Sequence, residues 1–327
     1  MKIFKLFCAT LCLMIFAACT DSNRPARISS QSVYKDVPYL QDFAIKYPAS
    51  SEAGQWRAVG LDRNGVVQAL AATGLYRPFN GHFQIPGTME PDLSYRPMRD
   101  KHLRHMIVYQ DQFVYLDDTA VFSNAWAGKI YFHHNMPGAQ LVCGGLDFNF
   151  LISDGQSLVY LTKEGSRRQS IIENGAALAM QFSRTENLFY ILTSNALLTY
   201  SPVAGALQPL YSGDAFTCFD LSEDGKSIFL GSENGYLVLN AAGEAQGAIQ
   251  SKLPWPELTA IKEIDGALWF GSAKGAFKLR EDRKFDYYYG QRWLPGETVK
   301  QIAKGADQSV LILTDKGLGK IGFREMT

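Results

Sequence analysis

The chain has 327 residues, with 32 Lys+Arg against 32 Asp+Glu and a formal net charge of zero, and no long basic run. That balance excludes the electrostatic footprint on which nucleic-acid binding depends. Apolar residues make up 46% of the chain, enough to fill one large core or two ordinary ones.

The N-terminus reads "MKIFKLFCATLCLMIFAAC". Lys2 and Lys5 precede an apolar run over 6–18, and Cys19 follows. A basic start, a short apolar stretch and small residues before a cut mark an export signal, too short for a comfortable membrane span. The end of the run, "FAAC", resembles the bacterial lipoprotein signal: an apolar residue, two small ones and a cysteine, with Phe16 standing where Leu is commoner. The resemblance implies removal of 1–18, acylation of Cys19, a tether over 19–30 and a domain over 31–327. Each buried acyl methylene adds about 0.8 kcal/mol of membrane affinity. Thr20 does not resemble an inner-membrane retention signal, so the outer membrane is expected where a cell has two. The plainer alternative is secretion, with Cys19 incidental.

After the signal, turns recur at a nearly constant interval. They fall at Gly74 ("LAATGLYR"), Asp118 ("YLDDTAVF"), Gly155 ("ISDGQSLVYL"), Asn195 ("LTSNALLTY"), Gly235 ("FLGSENGYLVL"), Gly275 ("WFGSAKGAFKL") and Gly317 ("LILTDKGLGKI"), in steps of 44, 37, 40, 40, 40 and 42 residues. Tight connections between antiparallel strands favour positive φ, which Gly adopts freely and Asn or Asp tolerate. The flanks are β-branched or aromatic with partial alternation, as strands are. A further apolar run lies about 10 to 15 residues before each turn, often followed by a polar hairpin such as "DRNG" or "SEDG". Four short strands in roughly 40 residues is the pattern of a β-propeller blade. The expectation is therefore an all-β, seven-bladed propeller. Only ten residues follow Gly317, enough for a single strand. A segment within 28–47 is expected to complete the last blade and close the ring, leaving few open sheet edges.

The phrase "LTAIKEIDGALWFGSAKGAFKL" (258–279) resembles the repeats of the two-component-regulator propeller family, with fairer matches over 298–321 and 56–77 and weak ones between. The resemblance implies the propeller fold and an extracytoplasmic setting. Sensor proteins of that family also carry a transmembrane helix and a kinase domain, so the signalling role does not transfer. Propellers host many functions.

Binding residues on such rings commonly sit in the connections that lead into inner strands. Two connections stand out. The segment 79–105 is long and carries His82, Tyr95, Arg96, Arg99, His102 and His105; all five histidines of the chain lie between His82 and His134. The segment "FDYYYGQRWLPGET" (285–298) carries three tyrosines, Arg292 and Trp293, and Trp255 sits one repeat earlier. Flat aromatic rings with polar rims suit sugars and protein interfaces alike. Trp255, Arg292, Trp293, Tyr95 and Arg96 are accordingly the expected ligand contacts, with Trp255 and Trp293 on one face. The plainer reading makes the tyrosines packing between blades and Trp293 a plug in a seam. Trp269, inside a strand, is expected in the core.

No nucleotide-binding loop, dinucleotide fingerprint, G-x-S-x-G or zinc spacing is present, so no cofactor and no metal is expected. His133 and His134 are adjacent on a strand and point to opposite faces, which argues against a shared ion. Cys143 and Cys218 sit in apolar runs and read as small hydrophobes. The sequence thus points to a monomeric, lipid-anchored binder of a glycan or an envelope protein, without catalysis. A polysaccharide lyase or glycoside hydrolase using His82 or His102 with Arg96 is the rival, and an envelope assembly scaffold the third reading.

Overall fold

The computed structural model describes residues 40–80, 87–93, 101–123, 130–173 and 175–325. The export signal 1–18, Cys19, the tether 19–30 and the first part of the expected domain, 31–39, lie outside the described residues, as do His82, Tyr95, Arg96 and Arg99.

The chain begins with β1 (Leu40–Pro48). Blade 1 follows, as β2 (Trp56–Leu61), β3 (Val67–Ala71), β4 (Gly74–Phe79) and β5 (Thr88–Pro91). Blade 2 is β6 (His105–Tyr109), β7 (Gln112–Leu116), β8 (Ala120–Ser123) and β9 (Ile130–His133). Blade 3 is β10 (Leu141–Gly144), β11 (Phe150–Ser153), β12 (Ser157–Leu161) and β13 (Arg167–Ile171). Blade 4 is β14 (Ala179–Ser183), β15 (Leu188–Leu192), β16 (Ala196–Ser201) and β17 (Ala206–Ser212). Blade 5 has β18 (Phe216–Leu221), β19 (Ser227–Ser232) and β20 (Gly235–Asn240). Blade 6 is β21 (Leu258–Ile264), β22 (Ala267–Ser272), β23 (Gly275–Leu279) and β24 (Phe285–Tyr288). After a single helical turn, α1 (Gly290–Trp293), blade 7 contributes β25 (Val299–Lys304), β26 (Val310–Thr314) and β27 (Gly317–Glu325).

Every sheet is an antiparallel meander, and β1 supplies the fourth strand of blade 7 in the order β1-β27-β26-β25. The protein is a seven-bladed β-propeller, and all seven repeat turns fall between the second and third strands of their blades. The upper face carries those turns and the connections into inner strands. The lower face carries the first-to-second hairpins and the third-to-fourth connections. Leu40 pairs with Glu325, so the chain joins the ring at its lower face.

The repeat turns share a physical device. Ser232, Ser272 and Thr314 are buried, and each hydroxyl donates to the carbonyl of the glycine three residues on, at 3.1, 2.9 and 2.9 Å. Each also accepts an N–H from inside the turn. The glycines have φ of 129°, 123° and 132°, where an L side chain is strained. They serve a second purpose that spacing does not announce. A Cβ on Gly235 would lie 2.3 Å from the Gln250 carbonyl oxygen, and one on Gly317 would lie 2.3 Å from that of Tyr47. The outer segment of the blade thus passes directly over the glycine.

Blade 5 departs from four strands. Its outer segment, "AAGEAQGAIQ", touches β20 only at the bridges Leu239–Ala245 and Tyr236–Gln250. Two glycines and four alanines within it are poor strand formers, and Asn240 Oδ1 turns the chain by accepting N–H bonds from Ala242 and Glu244. The core lies between blades. One cluster joins Ala58 and Leu70 of blade 1 to Met106, Phe113 and Tyr115 of blade 2; another joins Phe229 and Tyr236 of blade 5 to Ile261, Phe270 and Phe277 of blade 6. Trp269 is in the core, 1% exposed.

Gly74 and Gly317 separate the two duties of the turn glycine. Gly74 has φ of 134° but open space where a Cβ would sit. Gly74→Ala is expected to cost only the backbone strain, about 1–3 kcal/mol, whereas Gly317→Ala should cost more and loosen β1. Urea unfolding with hydrogen exchange across 40–48 checks this; equal losses would show that the Tyr47 contact carries no weight.

Candidate functional site

Side chains on the inner strands bind six of the seven blade boundaries around the central channel. Arg57 of β2 donates to the Leu103 carbonyl (3.1 Å), and the Val142 amide of β10 donates to His105 Nδ1 of β6 (3.2 Å). Gln181 of β14 donates to the Phe219 carbonyl (3.0 Å) and accepts from the Leu221 amide (3.2 Å). Thr217 donates to the Leu258 carbonyl (2.7 Å) and Thr259 to that of Val299 (2.8 Å). The ring is completed by the Val59 amide, which donates to Gln301 Oε1 (2.7 Å).

One boundary is built differently. Among the described residues no such bond joins blades 3 and 4; there the seam is apolar. Phe182 packs on Phe189 (4.7 Å between ring centres), and Leu141, Met180 and Phe182 rest half-buried on the cluster around Cys143 and Tyr160. A cavity of about 290 Å³ opens beside this seam, at the lower ends of β6, β10 and β14. Ile107 and Tyr109, Gly144 and Gly145, and Met180, Phe182 and Arg184 are among its walls.

The doublet Gly144-Gly145 makes the floor. A Cβ on Gly144 would lie 2.2 Å from the Tyr109 ring, and one on Gly145 would lie 2.6 Å from Phe189. The Tyr109 ring therefore crosses bare backbone. Its hydroxyl donates to the Gly145 carbonyl (2.9 Å) and accepts from the Phe148 amide (3.0 Å). That brace holds the hairpin 145–149, in which Asp147 and Phe148 both have positive φ (53° and 61°). Burial raises the Tyr109 hydroxyl's pKa, while the nearby Arg184 charge pulls it down. Cys143, at the cavity's back, is pushed up to about 12 by burial and so stays a thiol at neutral pH. Gln181 connects the cavity to Asp220, a fully buried carboxylate that also accepts from Lys262 Nζ (2.7 Å) and the Glu263 amide (2.8 Å). Burial raises the pKa of Asp220 against those partners.

The residues singled out from the sequence lie elsewhere. The segment 285–298 is divided between β24 and α1. Alternation along the strand puts Tyr287 and Tyr289 against Trp255 (6.4 and 5.7 Å between ring centres) and Tyr288 against Trp293 (5.2 Å). Trp255 and Trp293 therefore stand on opposite sides of blade 6 and do not form a joint surface. Trp255 is only 4% exposed, enclosed by those tyrosines and Phe277, so its rings pack in the core rather than facing a ligand. Trp293 is half-buried against the blade 6–7 core with the Arg292 guanidinium 5.0 Å above it.

The segment 79–105 is likewise divided, by β5, so Asn80 stands at the lower face and 101–104 at the upper. His102 is exposed, 3.5 Å from Asp118, which also takes a 2.7 Å bond from Arg104. His105 is half-buried between blades 2 and 3, accepting from the Val142 amide. His133 is exposed and His134 buried, on opposite sides of their strand. None of these four borders the cavity. Among the described residues no group of three or more His, Cys, Asp or Glu side chains is placed to hold a metal ion. Tyr109, Gly144, Gly145, Met180, Phe182 and Arg184 were not singled out beforehand. The glycine doublet inside an inner strand was their one visible signal, since such glycines mark close backbone approach.

No family model matches the chain, and no curated protein matches it in sequence. Solved structures match its shape. A streptogramin B lyase is similar with a TM-score of 0.66 at 15% identity, over 86% of this chain and 98% of that one. A virginiamycin B lyase from Staphylococcus aureus gives 0.64 at 14%, over 87% and 99%. The extracellular domain of a protein described as a hybrid two-component system from B. thetaiotaomicron gives 0.67 at 12%, over 86% of this chain and 39% of that one. At these identities the likeness is one of fold.

Two tests follow from the placements. Trp255→Ala should cost about 3–5 kcal/mol in urea unfolding, as a buried aromatic does; a stable variant would show that its rings are not core. His105 is held neutral by burial, reinforced by the Arg57 charge, with its pKa lowered from 6.5 to about 4. Because the folded value lies below the unfolded one, its stabilising share is complete above pH 6.5 and drains away as pH falls towards 4. The loss should reach up to about 3 kcal/mol, and His105→Asn, which keeps an acceptor for Val142, should flatten the slope. An unchanged slope in urea unfolding across that window would remove His105 as its source.

Proposed function

We propose that this chain is an exported propeller, acylated at Cys19, that binds a ligand at the lower-face cavity and does not transform it. The observation that carries the reading is the interruption of the inter-blade belt at blades 3 and 4. There the channel offers apolar walls, bare backbone and one cation. The lining side chains hold no acid–base pair suited to neutral pH, since the Cys143 thiol and the Tyr109 hydroxyl are both raised. Its extracellular neighbour from B. thetaiotaomicron and the lipoprotein-like N-terminus support export. The chain enters the ring at the lower face, the face on which the cavity opens.

Of the two ligand classes, an envelope protein suits these walls better than a glycan. Ile107, Met180 and Phe182 offer little to the many hydroxyls of a sugar chain. Trp293 with Arg292 remains the proposed secondary contact at the upper face. The lyase neighbours favour a catalytic rival by shape alone. A histidine-to-alanine variant of the S. aureus enzyme is described as catalytically inactive, whereas the described histidines of this chain stand away from the cavity.

The test exposes the purified protein to a panel of polysaccharides and to detergent-solubilised envelope proteins, with assays for reducing ends and unsaturated products. Retention of an envelope protein without product, lost when Ile107→Trp fills the cavity, is the expected result. Product formation would replace this reading with the enzymatic one. Fractionation of cells expressing Cys19→Ala should find the protein released from membranes; continued membrane attachment would refute the lipid anchor.

A further inference from the structure

The cavity's lining combines two chemistries. Ile107, Met180 and Phe182 present apolar surface that is only half-buried, and such surface gains by covering. Gln110 and Gln181 are the neutral polar groups, and Arg184 is the sole formal charge among the lining residues. The carboxylates nearby are occupied or outside. Asp220 is held by Lys262 and Gln181, and Asp147 is exposed on the hairpin beyond Tyr109. Arg184 is itself exposed and makes no ion pair among the described residues. A guanidinium free at the rim of an apolar recess matches a carboxylate in shape and charge.

The dimensions narrow the ligand further. About 290 Å³ lies at the small end of the roughly 300–1,000 Å³ usual for ligand sites, room for one or two side chains but not for an oligosaccharide. Bare backbone at Gly144 and Gly145 lets a chain of atoms lie close to the floor. Resting on the cavity reading above, we propose that the site takes an apolar group bearing a terminal carboxylate, with Arg184 as the partner of that carboxylate. The C-terminus of a protein ending in an apolar residue and a small free carboxylate share this chemistry.

The experiment is isothermal titration of the whole purified protein with matched acids and neutral analogues. The pairs are acetyl-Ala-Ala-Phe as free acid and as amide, and 4-phenylbutyrate with 4-phenylbutanol. Each acid is expected to bind at one site at least about tenfold more tightly than its neutral partner, and Arg184→Gln should bring the acid down to the neutral level. A tighter peptide acid identifies a protein C-terminus as the source, and a tighter phenylbutyrate a small carboxylate. Equal binding of acid and neutral probes, or a preference that survives Arg184→Gln, overturns the proposal. The cavity reading fails separately. If neutral probes bind wild type and are lost in Ile107→Trp, the cavity stands and only the carboxylate inference falls; if no probe binds wild type, both fall. Should Ile107→Trp not fold, probe-induced shifts of the Met180 methyl in wild type give the same answer.

Discussion

A ring of sheets holds together only if its last sheet meets its first, and here that meeting rests on one nine-residue strand. β1 pairs along its whole length with β27, from Leu40 opposite Glu325 to Pro48 opposite Gly317. A four-stranded blade built from both ends of the chain cannot open without breaking an antiparallel ladder. The ladder is backed from three sides. Tyr47 is buried among Trp56, Met89 and Leu318. Asp42 accepts from the Tyr288 hydroxyl of blade 6 (2.7 Å), and Lys46 donates to the Gln291 carbonyl in α1. Ala49 bridges Met89 of blade 1. Blades 6, 7 and 1 are therefore coupled through one segment, and the geometry of the channel inherits their alignment.

With the ring closed, the channel wall is set by the inner strands, which meet their neighbours at a converging edge. Side-chain hydrogen bonds stitch most of these meetings, each satisfying a backbone group that the converging strands would leave unpaired. The blade 3–4 seam replaces stitching by aromatic packing. Phe189 fills the space that Gly145 leaves, and Tyr109 reaches across Gly144 from blade 2 to brace the next hairpin. Ile107, Met180 and Phe182 stay half-buried where that seam meets the cavity.

The repeat glycines were legible because their cause is local: a turn that needs positive φ restricts residue type wherever it occurs. Ring closure was legible because strand-like runs over 28–47 stand ahead of the first repeat with no blade of their own to join. The candidate site was not. The aromatic segment 285–298 looked like a surface because density of tyrosines was visible, whereas the face each ring would take was not. Once Phe285–Tyr288 became a strand, its alternation sent Trp255 and Trp293 to different sides of blade 6. The segment 79–105 looked like a single loop because β5, "TMEP", is too short to register as a strand.

The sequence by itself determined the number of blades, the turn that each one repeats and the strand that joins the ends, since all three follow from periodicity and the conformational limits of single residues. Only the tertiary structure decided where the proposed site lies. That choice depends on which inner strands converge without hydrogen bonds between them, a property of residues such as Tyr109, Gly145 and Arg184 that stand far apart in the chain and acquire a common environment only when the blades close around the axis.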